Sequence, residues 1–445
     1  MTASNDISAD IPGALNRAWD QKAAEKSLAR WRAVCRQEGW GEIPENLSLL
    51  VAVFGASWYF TRFIFFHGQR AARLFDCTPT EEFSLRVLRR RLDEAIRASE
   101  KYSPLDALRI AKNEIMLEIL LSDLRQVLDQ EHVESALTNL ADATLVAAIT
   151  ACQSEEDADT IGHVAVLGMG RMAGSEMNYG SDLDLIFLLP EELDDVFARV
   201  SKRVRMILRE LAVMSPHGVL YEIDMRLRPH GTAGALVTLL QAFVEYHAQE
   251  RAIWERQMMT RCRAVVDEKG IGGRALDAVL PHIYGRYRDE YLRGEVHHMR
   301  QRVEQELGSP AGKYDIKKGR GGIMDIDFIT HYLQLAHGYD TAGLRTASTR
   351  VALRAGAAVD LLKADIAERL ADAYDFLKRV EGRIRVFDMK PLHTFSRDPG
   401  DLHTLAKAMG YKDSKSRTDV EQFMDDYKAT TSYVRDCFKK IVTAN

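Results

Sequence analysis

Asp182-Leu183-Asp184 sets two carboxylates two positions apart inside an apolar run. On a β-strand this spacing points both acids to one face while Leu183, Leu185 and Phe187 enter the core. Two neighbouring anions repel each other, and a cation between their oxygens relieves that repulsion. Hard magnesium, which prefers carboxylate, phosphate and water oxygens, suits the role. An isolated Asp-x-Asp is weak evidence and more often marks a solvated strand end, so the flanking segments have to decide.

Upstream lies Gly168-Met169-Gly170-Arg171-Met172-Ala173-Gly174-Ser175. Its glycines would let backbone approach a phosphate, Ser175 and nearby amides could donate to it, and Arg171 could neutralise charge. A Gly-x-Gly by itself is also a common turn. Downstream, Asp224 shares an alternating segment with Arg226 and Arg228. If that segment pairs beside the strand of Asp182, a third carboxylate joins the first two and completes two metal sites. Considered alone, it also reads as an exposed Asp-Arg-Arg salt-bridge face. Together the parts match attack of a hydroxyl on the α-phosphate of a nucleoside triphosphate, with pyrophosphate leaving. Positioning and charge neutralisation carry most of such a reaction.

These residues need a sheet to hold them. Residues 164–167 read as a buried strand, 168–170 as a tight turn and 183–189 as a second strand. A third, 219–228, alternates, with Tyr221, Ile223, Met225 and Leu227 toward the core and Glu222, Asp224, Arg226 and Arg228 opposite. Helical periodicity covers 16–38, 81–100 and 108–127 before the sheet, and 291–307, 324–337 and 359–389 after it. The arginines at 86, 89, 90, 91 and 97 read as a solvated helix face. An acidic loop at 154–159 marks the change of texture. The apolar stretch 47–66 is long enough to span a membrane, but Ser48, Ser57, Thr61 and Arg62 within it favour a buried helix.

The whole chain is consistent with this. Its 445 residues allow two or three domains, and 46% hydrophobic with 28% charged residues is a globular composition. A net charge of -5 argues against wholesale nucleic-acid binding. Five scattered cysteines without a CxxC pair suggest neither disulfides nor zinc, and fit a reducing cytoplasm. No signal peptide is visible at the start.

The run Gly168-Met-Gly-Arg-Met-Ala-Gly-Ser-Glu-Met-Asn-Tyr-Gly-Ser-Asp-Leu-Asp-Leu185 resembles the signature of glutamine synthetase adenylyltransferases. The likeness continues in Glu222-Ile-Asp-Met-Arg-Leu-Arg-Pro-His-Gly231, Gly234-Ala-Leu-Val237, Trp254-Glu-Arg-Gln257 with Arg261 and Arg263, and Asp315-Ile-Lys-Lys-Gly-Arg-Gly-Gly-Ile-Met-Asp-Ile-Asp-Phe328. It spans most of residues 85–390. The chain departs at Arg171-Met172-Ala173-Gly174, where the family reads Lys-Leu-Gly-Gly.

The resemblance implies an α+β, predominantly helical protein with a DNA-polymerase-β-like nucleotidyltransferase domain whose small mixed sheet lies between helical domains. The expected divisions are an N-terminal helical domain at 1–104, the nucleotidyltransferase domain at 105–285 and a C-terminal helical domain at 286–445. It implies ATP as substrate, a two-metal magnesium site on Asp182, Asp184 and Asp224, and phosphate contacts from Gly168, Gly170, Arg171, Gly174, Ser175, Ser181, Arg226 and Arg228. Glutamine synthetase would be the protein substrate and the PII signalling protein a second partner, without nucleic acid or membrane. Family members usually carry two such domains, one attaching AMP to a tyrosine and one removing it by phosphorolysis. This chain has one, as expected of a single-domain relative, half of a split system or a fragment. Gly180-Ser-Asp-Leu-Asp184, Trp254–Gln257 and Met324–Phe328 favour the attaching half, and Glu176-Met-Asn-Tyr179 the removing half. The preferred reading is AMP attachment; AMP removal, or a nucleotide-binding regulatory partner without turnover, is the alternative. Nucleotidyl transfer to a small molecule or nucleic acid fits the extended match less well.

Outside the core motifs, Trp254 reads as a packing aromatic, with Glu255 and Arg256 able to reach the cleft. The glycine-rich turn Gly319 to Gly322, with Lys317, Lys318 and Arg320, could close over phosphate, or it could simply cap the next helix. Asp325 and Asp327 suit a helix start, where negative charge is favourable.

Overall fold

The computed structural model describes residues 11–40, 46–77, 80–153, 162–249, 251–306 and 311–443. The acidic segment 154–159 lies outside the described residues. Most of the described chain is helical, with a small mixed sheet. The sheet comprises β1 (Ala165–Met169), β2 (Leu183–Leu189), β3 (Ile223–Asp224), β4 (Val237–Leu239) and β5 (Cys262–Val266). Its order is β3-β2-β1-β5, with β4 also on β2. β1 is antiparallel to β2 and β5, whereas β3 and β4 run parallel to β2.

The apolar runs make the central strands buried on both faces. Leu183, Leu185, Phe187 and Leu189 of β2 face one apolar core, built with the helices Leu47–Ala56, Trp58–His67, Leu85–Arg97, Pro104–Leu124, Gln130–Ala151 and Phe197–Ala212. Ile186 and Leu188 face a second core, built with Ile271–Ile283, Asp289–Glu306, Ile323–His337, Ala364–Val386 and Asp419–Phe438. Asp184 has the parity of Ile186 and Leu188, so it opens toward the second core's side of the sheet.

Several expected elements form with adjusted ends. Leu85–Arg97 buries Leu88 and Leu92 and leaves most of its arginines outward, with Arg91 on Glu118 at 2.6 and 2.8 Å. Pro104–Leu124 begins on Ser103, whose hydroxyl accepts from the Asp106 amide, with proline at the first turn. The apolar stretch expected as one helix is two, because Ser57 is extended (φ -141°). Its hydroxyl caps the second helix by accepting from Phe60 and donates to the Val386 carbonyl at 2.6 Å. Among the described residues no helix is long and apolar enough to cross a membrane. The segment expected at 16–38 likewise divides into Ile11–Arg17 and Gln21–Gln37, the second capped by Asp20.

Two expectations about strands are corrected. Gly168 is not in a turn but inside β1, which runs on to Met169, and Gly170 opens a helical turn, Gly170–Ala173. The third strand shrinks from ten residues to Ile223–Asp224, since 226–230 turn back. Tyr221, Ile223 and Met225 meet the first core as expected, whereas Leu227, beyond the turn, packs against the second. Residues 313–315 and 394–396 form an unexpected antiparallel ribbon, β6 (Lys313–Asp315) and β7 (Thr394–Ser396).

Candidate active site

β2 and β3 carry the acids to one place. The parallel register sets Leu183 beside Ile223 and Asp184 beside Asp224, and the Leu183 amide donates to the Glu222 carbonyl at 2.9 Å. Asp182 stands just before β2, exposed, and Asp184 is half-buried. Gly170, at the end of the neighbouring strand, has φ +57°, and a Cβ there would lie 3.0 Å from the Asp184 carboxylate. Glycine is thus required at this position twice over, for its left-handed backbone and for close approach to the acid.

The acids differ electrostatically. Burial, reinforced by Asp182 and Asp224, pushes the Asp184 carboxyl up to about 7, against relief from Lys317 and Arg226. The Asp224 carboxyl is held below its usual value, chiefly by hydrogen bonds from Arg226. The Arg226 guanidinium donates through Nε at 3.0 and 2.8 Å and also through Nη2, and its side chain is 76% exposed. Among the described residues the Asp182 and Asp184 carboxylates engage no hydrogen bond or ion pair.

An oxygen-only donor set of crowded carboxylates suits a hard divalent cation, which would reverse the penalty on charging Asp184. The three acids are not drawn together as a finished ligand set; among the described residues no three acidic, histidine or cysteine groups converge in that way. Arg226 covers Asp224, and its exposed side chain has room to swing aside. Asp182, Asp184 and Asp224 are the residues that would hold the metal.

The phosphate contacts expected nearby have mixed fates. Ser175 is exposed with φ +56°, one turn from Gly170. The Ser181 hydroxyl accepts from the Asn178 amide at 3.0 Å and from Arg385 at 3.3 Å, fixing the chain just ahead of Asp182. Gly168 and Gly174 serve packing: a Cβ would come within 2.7 Å of Val265 and of the Ala347 carbonyl respectively. Arg228 folds back on carbonyls of Met225, Thr232, Gly234 and Ala235, stitching the turn after β3.

Arg171 points into a buried charged cluster. It donates to Asp327 at 2.6 and 3.2 Å, to Glu176 at 3.2 Å and to the Tyr374 hydroxyl. Arg261 joins on Asp327 at 2.7 Å, and Glu176 also accepts from the Thr349 amide and hydroxyl and from Tyr374. These arginines hold the Asp327 carboxyl far below its usual value in spite of burial. Asp325 is likewise bound by Arg300 and Arg435 and accepts from the Gly321 amide at 2.8 Å, so the two acids stand at the helix start as expected and are ion-pair partners as well. Trp254 is 54% exposed rather than packed. Glu255 accepts from Tyr246 and the Ala252 amide, and Arg256 donates to carbonyls of His247 and Gln249, so neither reaches the acids.

Residues 47–278, more than half of the chain, match the glutamate-ammonia ligase adenylyltransferase family. The chain belongs to this family. All three acids and Gly170 lie within the matched region. Residues 292–442 match a second family, the PII-uridylyltransferases. The chain is 32% identical over 357 residues to the bifunctional glutamine synthetase adenylyltransferase/adenylyl-removing enzyme of Chromobacterium violaceum, covering 78% of this chain and 40% of the relative. The proteins of the same name from Streptomyces avermitilis and Ralstonia nicotianae are each 29% identical, over 75% of this chain and 34% and 39% of theirs. The chain thus spans roughly two fifths or less of the length of these curated relatives.

Proposed function

We propose that the chain is a protein adenylyltransferase that moves AMP from ATP to a tyrosine of glutamine synthetase, on a DNA-polymerase-β-like nucleotidyltransferase fold. The observation that carries this reading is the in-register pairing of Asp184 with Asp224, beside Asp182 and under Gly170, in a chain of the adenylyltransferase family. Magnesium at these acids would lower the pKa of the attacking tyrosine hydroxyl and neutralise the triphosphate. Asp182 and Asp184 would ligate from β2 and Asp224 from β3. Gly170 leaves the space beside Asp184 open to a phosphate. Arg226, released from Asp224, would move to the phosphates, and exposed Ser175 with the Gly170 turn would supply polar contacts.

Removal of AMP by phosphorolysis uses the same acids in the opposite sense, and the relatives' bifunctional name supports keeping it as the second direction. The PII-uridylyltransferase-like segment supports the PII protein as a regulatory partner. The test incubates the pure chain with labelled ATP, magnesium and glutamine synthetase, and in parallel with adenylylated synthetase and phosphate. Label on the synthetase establishes attachment, and ADP release establishes removal. Tight ATP binding without either product would instead favour a regulatory partner. In the active direction, Asp182→Asn and Asp184→Asn each lower the rate by about 10²–10³ or more, the range for loss of one preorganised electrostatic contact. Near-wild-type turnover by both variants would exclude these acids from the chemistry.

A further inference from the structure

Resting on the nucleotide-site reading above, we propose that Lys317, from the segment C-terminal to the sheet, is a phosphate-binding residue of the active site. The glycine-rich turn after β6 would thus contribute directly to ATP recognition. Its construction makes it a rigid mount. The Asp315 carboxylate accepts from the amides of Lys317 and Lys318 at 2.9 and 2.7 Å. A Cβ at Gly319, Gly321 or Gly322 would lie 2.2, 1.7 or 2.6 Å from a backbone carbonyl oxygen of Asp315, Thr431 or Ile316. Arg300 donates to the carbonyls of Lys318 and Gly319 at 2.9 and 2.8 Å.

This mount is tied to the acids by a short chain of contacts. The Lys317 carbonyl accepts from Met324 at 3.0 Å, in the first turn of Ile323–His337. From the same end of that helix, Asp327 grips Arg171, the neighbour of Gly170, which lies against Asp184. Arg320 is turned onto Glu304 at 3.0 Å. The Lys317 ammonium is half-buried and, among the described residues, makes no hydrogen bond or ion pair. Two carboxylates whose fields it feels, Glu381 and Asp327, are already engaged: Glu381 by Lys378 at 3.0 Å and Arg385 at 2.8 Å, and Asp327 by Arg171 and Arg261. Its charge also offsets the crowding at Asp184. An unpaired cation on a rigid turn, with its charge felt at Asp184, is chemically matched to a triphosphate that also meets a metal.

The test measures binding of ATP and of AMP, with magnesium, to the full chain by calorimetry. Lys317→Met should weaken ATP by on the order of ten- to a hundredfold, the range for a charge-assisted hydrogen bond. AMP should change far less, and Lys317→Arg should retain most of the ATP affinity. Burial disfavours the Lys317 charge, so Lys317→Met should melt no lower than wild type. Wild-type ATP affinity in Lys317→Met, while Asp184→Asn loses magnesium-dependent ATP binding, overturns the proposal and leaves the nucleotide site standing. Equal weakening of ATP and AMP, or a lowered melting temperature, also overturns it by making the lysine structural. No ATP binding by the wild-type chain removes both readings.

Discussion

Asp184 and Asp224 are adjacent in the sheet, yet their environments push them in opposite directions. Asp184 is raised by burial and by two acidic neighbours, whereas Asp224 is lowered by the Arg226 hydrogen bonds. A carboxyl raised to about 7 favours the folded state while protonated. That contribution is complete below the ordinary carboxyl value of about 4 and is lost as pH rises through about 7. With a chelator present, the melting temperature should therefore fall by a few degrees between about pH 5 and 8, and Asp184→Asn should remove that slope. Magnesium should restore stability most at the alkaline end. Asp224 has the opposite sign: its contribution is present above about pH 4 and lost on further acidification, outside this window. Equal slopes for wild type and Asp184→Asn would exclude Asp184 as the titrating group. The Asp-x-Asp spacing made the acids legible in the sequence. Their unequal ionisation depends on a neighbour strand and could not be read there.

At the scale of elements, glycine-rich turns do the aiming, and they do so by different means. Gly270 and Gly321 share a left-handed backbone, at φ +69° and +72°, but a Cβ at Gly270 meets nothing within 4 Å while one at Gly321 collides with Thr431. Alanine at Gly270 should cost only the backbone strain, about 1–2 kcal/mol. Alanine at Gly321 should cost about 1–3 kcal/mol more from overpacking, and should loosen the turn bearing Lys317. Urea unfolding of both variants measures the difference, and equal losses would mean that the turn yields easily. Apolar runs announced β1 and β2, and glycine placement the turn around Gly319. The third strand was read too long, because continued alternation cannot reveal that Arg228 draws the chain back onto its own carbonyls.

Across the whole molecule, the sheet lies between two apolar cores, and buried charges tie helices of one side to helices of the other. Arg350, in Thr349–Ala358, pairs with Glu134 of Gln130–Ala151 at 2.8 Å and with Asp375 of Ala364–Val386. Lys378 lies 3.4 Å from the same Glu134. Replacing Arg350 by methionine strands much of a buried negative charge, and breaking such pairs costs about 3–5 kcal/mol. The remaining lysine should keep the loss near the lower end. Because the link joins both sides, circular dichroism and the fluorescence of buried Trp31 should report one coincident thermal transition, shifted down together in the variant. Two separated transitions in the wild type would show that the helical layers unfold independently.

The sequence by itself determined the three candidate acids, the family resemblance and a helical chain around a small sheet. These follow from local rules: two-residue alternation for strands, three- to four-residue spacing for helices, and glycine where backbone must approach closely. Tertiary structure alone decided what the other polar residues do. Arg171 and Arg228 have the same composition-level promise as Arg226, yet the fold buries the first on Asp327, turns the second onto carbonyls and leaves the third exposed on Asp224. It also makes the charge of Lys317, from beyond the sheet, felt at Asp184, more than a hundred residues earlier in the chain. A cation's role depends on which partner lies within a few ångströms, and that distance is set by packing between distant segments rather than by the spacing of neighbours in the chain.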